Sequence, residues 1–135
     1  MIELATESLQ RAGRLRVRVT GASMLPCIRP GDILDVRAAE AGAVGPGSVV
    51  LFSRDGRFFA HRVARREGEH LVTRGDALGG DDAAIAPAEL LGEVTGVERH
   101  GRALAPRATF VTRGAAFLFR HSALAGRIFV RFASA

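Results

Sequence analysis

"RLRVRVTGASMLPCIRPGD", Arg14 to Asp32, begins in strict alternation and ends in a run of turn formers. Leu15, Val17 and Val19 fall on one side of an extended chain and Arg14, Arg16 and Arg18 on the other, which is the pattern of a half-buried strand. The Gly, Ser, Pro and Asp residues that follow suit tight turns. A serine set at such a turn, as Ser23 is, with small neighbours and a free backbone N–H, is how nucleophiles are often presented. Ordinary turns look the same, so the stretch becomes chemical only if another segment supplies a base.

Working outward, the same period-two reading predicts strands at Ile33–Arg37, Ser48–Ser53, Phe58–Arg65, His70–Arg74 and Gly92–Glu98, each bounded by Gly, Pro or Asp. Ile2–Ala12 reads as a short helix ended by Gly13, and "PAELL" at Pro87 as one helical turn with proline in its first position. The expected fold is mainly β: an antiparallel domain over residues 1–105, with a short N-terminal helix and a C-terminal helix over 106–135. At 135 residues this is one domain's worth of chain.

The candidate base lies in "FFAHRVAR". Phe59, His61 and Val63 share one face of that strand, so His61 looks toward an apolar side. A lone histidine there is by default a satisfied core residue. "LVTRGDALGGDD" changes the balance, because Asp76, Asp81 and Asp82 crowd a glycine-rich loop directly after a strand. A histidine that moves a proton in a low-dielectric wall needs an oriented carboxylate to fix its tautomer and support its charge. The competing readings of the loop are a solvated acidic turn and a cation site. The ligand spacing of a calcium loop is missing, and no second histidine stands at a metal-binding interval, so neither metal nor cofactor is expected.

Charge and cysteine content restrict the setting. All 19 basic residues are Arg. Up to Glu98 twelve of them face fourteen acids, and beyond it seven Arg meet no acid at all. A positive tail on a near-neutral body suits an anionic surface. Read as a helix over about Thr112–Phe132, the tail puts Arg113, Arg120, Arg127 and Arg131 along one narrow edge, with Phe and Leu around most of the rest. Such a helix lies on a membrane surface or docks on the domain without spanning. DNA is the weaker rival, since so apolar a helix offers few polar groups to base edges. One cysteine, Cys27, forms no internal disulfide. With no apolar run of spanning length and an acidic, polar start, the expectation is a cytoplasmic or peripherally membrane-associated protein.

Taken in order, "GASMLPCIRPGD", "GSVVLF", "AHRV", "LVTRGDALGGDD" and "LLGEV" resemble the motif series of the type I signal peptidase family over roughly Gly21–Val97. In the bacterial branch and the related self-cleaving repressors the general base is a lysine, which this chain lacks. The sequence is similar to the endoplasmic-reticulum and archaeal branch, where a histidine takes that place in "HRV". The resemblance implies a serine endopeptidase acting on a protein or peptide substrate next to small residues, with Ser23 as nucleophile, His61 as general base and Asp82 as its partner. Asp76 would support the site, and Asp81 competes with Asp82 for the partner role. Gly21 stands where the family often has a hydroxyl-bearing oxyanion donor, and Ala77 where that branch more often has Asn. These departures keep a second reading open, a non-catalytic peptide- or membrane-binding module on the same fold.

Overall fold

Strand-forming patterns dominate the described residues, 2–106 and 130–132 of the computed structural model. Helix α1 (Ile2–Ala12) closes with the Gly13 N–H donating to the Leu9 carbonyl at 2.8 Å. Strands β1 (Arg14–Val19), β2 (Ile33–Ala38), β3 (Val49–Arg54), β4 (Arg57–Glu67), β5 (His70–Arg74), β6 (Leu90–Arg99), β7 (Arg102–Leu104) and β8 (Val130–Phe132) then build one antiparallel sheet, and a 3-10 turn at Pro87–Glu89 leads into β6. As its alternation requires, β1 buries Leu15, Val17 and Val19 and sets Leu15 and Val17 opposite Val36 and Leu34 of β2. The β3–β4 hairpin turns on Asp55-Gly56, both at positive φ (53° and 72°), the primed geometry that matches strand twist.

The apolar run "VVLF" of β3 has no polar face because both of its faces are covered. On one side Val49 and Leu51, with Phe58 and Ala60 of β4, join Val17, Leu34 and Val94. On the other, Val50, Phe52 and Val63 pack with Leu71, Ile85 and Leu90. Each fully buried Val, Leu or Phe contributes about 1.5–3 kcal/mol, so the paired strands β3 and β4 form the anchored centre of the domain. His61 projects from this centre on the second side, beside Phe52 and Phe59.

Strand order along the sheet is β5-β4-β3-β6-β2-β1-β8, with β7 continuing beside β6. Three strands therefore separate β1 from β4. The sheet curls so that its ends approach, and β8 lies beside β4. Only through that curl does the turn after β1 reach the middle of β4.

The expected C-terminal helix over 106–135 falls largely outside the described residues, but Val130–Phe132, which the helical reading included, is strand β8, registered antiparallel to Val17–Val19. A free edge of β1 offers backbone groups to pair, and that non-local bonding overrides a local helical period. No helix among the described residues is long and apolar enough to cross a membrane.

Candidate active site

Ser23 opens the turn that follows β1, and the residue after it explains why the turn holds. Met24 is fully buried in the first core, and its sulfur accepts the Asp76 N–H at 3.3 Å. The turn closes on itself through Leu25 N–H to the Ala22 carbonyl (3.1 Å) and Ile28 N–H to the Met24 carbonyl (3.0 Å). From the far side the Ser23 carbonyl accepts the Ala77 N–H at 2.8 Å. Gly75 makes that approach possible, because a Cβ there would come within 2.6 Å of the Ser23 oxygen. Thus the Gly75–Asp76–Ala77 turn after β5 grips the Ser23–Met24 backbone.

With its backbone held in this way, the Ser23 Oγ lies 3.0 Å from His61 Nε2. His61 Nδ1 lies 2.6 Å from Asp82 Oδ2. Phe52 and Phe59 meet the imidazole edge-on, each with its ring centre 5.9 Å away, and fix the ring plane. The Asp82 oxygen also accepts the hydroxyl of fully buried Thr73 at 2.6 Å, while the Asp82 N–H donates to the Thr73 carbonyl at 2.8 Å. Burial pushes the Asp82 carboxyl up, but the hydrogen bonds from His61 and Thr73, with the charges of His61 and Arg54, outweigh it and hold the group below the ordinary carboxylate range. An ionised carboxylate only accepts, so Nδ1 is the nitrogen that donates to Asp82, and whenever the imidazole is neutral Nε2 is free to accept from the Ser23 hydroxyl.

The structure separates the three acidic candidates. Asp82 meets His61. Asp81 turns outward to Arg65 (2.8 Å) and Arg74 (2.8 Å), whose hydrogen bonds hold its carboxyl low. Asp76 takes a two-pronged ion pair from Arg62, both N–O distances 2.9 Å. Arg62 follows His61 on β4 and so faces the opposite way, where it also donates to the carbonyls of Gly47 (2.8 Å) and Pro106 (2.9 Å). Asp76 therefore supports the site through the backbone turn that bears it.

Cys27, four residues beyond Ser23, is the other nucleophile type nearby. Its sulfur faces Arg62 and the Pro106 carbonyl, and burial pushes its thiol up despite the Arg62 charge. Thr73, Gly75 and Arg62 escape sequence reading. Thr73 shares its strand face with Leu71, so alternation marks it as inward-facing, but nothing local says that it meets a carboxylate nine residues on.

A family model described as peptidase S24-like matches residues 2–74, a span that holds Ser23 and His61 and stops short of Asp76 and Asp82. No curated protein and no solved structure matches the chain.

Proposed function

The chain belongs to the peptidase S24-like family, and we propose that it is a serine endopeptidase working through Ser23, His61 and Asp82. The observation that carries this reading is the unbroken chain from Ser23 Oγ through both ring nitrogens of His61 to Asp82. In the proposed reaction Ser23 Oγ bonds to the carbonyl carbon of the scissile peptide as its proton passes to His61 Nε2. The imidazolium, supported by Asp82, then gives that proton to the departing amine as the C–N bond breaks. Water, deprotonated by the same nitrogen, hydrolyses the acyl-enzyme and restores Ser23. The Ser23 backbone N–H is the proposed oxyanion donor, with Gly21 contributing no side-chain hydroxyl.

The motif series from Gly21 to Val97 supports a finer reading, kinship with the histidine-bearing branch of the type I signal peptidases and cleavage after small residues. The substrate class is then an extended peptide of a protein chain. A fluorophosphonate probe tests the reading, with wild type labelled and Ser23→Ala unlabelled. Equal labelling of both would remove Ser23 from the role. A wild type that neither labels nor cleaves a broad panel of small-residue peptides would favour the peptide- or membrane-binding module instead. For the seven Arg and no acids after Glu98, we propose attachment to an anionic membrane surface.

A further inference from the structure

The segment carrying Asp82 has no regular secondary structure of its own, yet its carboxylate must stay within hydrogen-bond reach of His61. Its edges are held by arginines. Before Asp82, Arg65 and Arg74 take both oxygens of Asp81. After it, Arg54 donates from Nη1 to the Ala83 carbonyl at 2.8 Å and from Nη2 to the Ala84 carbonyl at 2.9 Å. Arg54 is itself oriented by Glu89, whose oxygens accept from Nε at 3.0 Å and Nη2 at 3.1 Å. Its guanidinium carbon also stands 5.7 Å from the centre of the Phe52 ring, one of the two rings that wall His61. One planar, five-donor side chain thus touches the backbone following Asp82 and the aromatic wall of His61 together.

We infer that Arg54 is a positioning residue for the Ser23–His61–Asp82 array, setting the Asp82 carboxylate and the His61 ring in register with each other. This rests on the serine peptidase reading for its kinetic effect but not for its geometry. An error of about 1 Å in such an array costs on the order of 100-fold in rate. A lysine at position 54 keeps the charge and loses the fork, so it replaces only part of the contact set.

The test compares wild type with Arg54→Gln and Arg54→Lys, reading peptide turnover and the low-field NMR resonance of the His61 Nδ1–H, the latter also in a Ser23→Ala background. Arg16→Gln is the matched control, since Arg16 is another ion-paired arginine, bound to Asp35 and Glu98 on β2 and β6. The expected result for Arg54→Gln is a fall in kcat of about 10- to 100-fold with KM changed less than about two-fold, and a resonance weakened or shifted upfield. Arg54→Lys should fall between it and wild type, and serves alone if Arg54→Gln does not fold. Arg16→Gln should change neither reading. Unaltered kcat and resonance in the Arg54 variants overturn the inference, and so does a lower kcat with the resonance unmoved, which makes Arg54 a general stabiliser. If wild type cleaves and labels nothing while Arg54→Gln still moves the resonance, the peptidase reading fails and the positioning role stands.

Discussion

Asp81 and Asp82 are adjacent and chemically identical, yet their surroundings differ enough that substituting each should give very unequal outcomes. Asp82→Asn removes the acceptor that holds the Nδ1–H of His61, favours the wrong tautomer and should lower kcat by about 10²–10⁴-fold. Asp81→Asn touches neither His61 nor the Asp82 carboxylate and keeps one oxygen for the exposed arginines that hold this edge of the segment, so it should change kcat less than about three-fold. Steady-state kinetics on the same peptide compare the two, and equal losses would contradict the assignment of partners. Stability supplies a second check with a definite sign. The Asp82 carboxyl is depressed in the folded protein, so its contribution is present above the unfolded value of about 3.9 and is lost as pH falls through the lower folded value. Urea unfolding should therefore show a gap between wild type and Asp82→Asn that is wide at pH 7 and narrows in strong acid. A gap unchanged with pH would deny the depressed carboxyl.

At the scale of elements, the turn after β5 is the piece on which the Ser23 turn leans. Its lock is the pair between Asp76 and Arg62, with side chains only 8% and 12% exposed. Removing one member of a buried pair strands the other, at a cost of about 3 kcal/mol or more. Arg62 keeps its bonds to the Gly47 and Pro106 carbonyls, which places Asp76→Ala at the lower end, roughly 10 °C in Tm for a domain of this size. The loss should be the same in a Ser23→Ala background, because it arises from the turn and not from the reaction. A large drop in turnover with Tm unchanged would instead put Asp76 into the chemistry. Met24 makes a complementary anchor: its thioether fills the first core beside Val17 and Leu34 while the preceding residue presents its hydroxyl. That division answers why a serine and a methionine stand together in "TGASMLP".

For the whole molecule, curling of the sheet is what joins two distant halves, and the tail adds a separate charge pattern. Vesicle co-sedimentation tests the tail's proposed role. Binding should rise with the fraction of anionic lipid and weaken in high salt, where the screening length drops from about 10 Å at 0.1 M to about 3 Å at 1 M. Equal binding to neutral and anionic vesicles, or none to either, would remove charge-driven attachment.

Elements with a clean period are legible in the amino-acid sequence by itself. Helix α1 and β5 begin and end where their patterns do, and the alternation of "RLRVRVT" and "FFAHRV" assigns the inward faces of β1 and β4, including the side on which His61 lies. This follows from locality: side-chain direction repeats every two residues in a strand whatever the rest of the chain does. The motif order likewise singles out Ser23 and His61. Choosing Asp82 over Asp81 lies beyond such reasoning, since an irregular loop has no period and its side-chain directions depend on what its backbone groups bond, here the Thr73 carbonyl and the Arg54 guanidinium. Strand β8 reads locally as helix because its partner, the edge of β1, is more than a hundred residues away. Above all, tertiary structure decides the meeting of Ser23 with His61: three strands intervene between β1 and β4, and the accumulated twist and curl of the sheet closes that distance to one hydrogen bond.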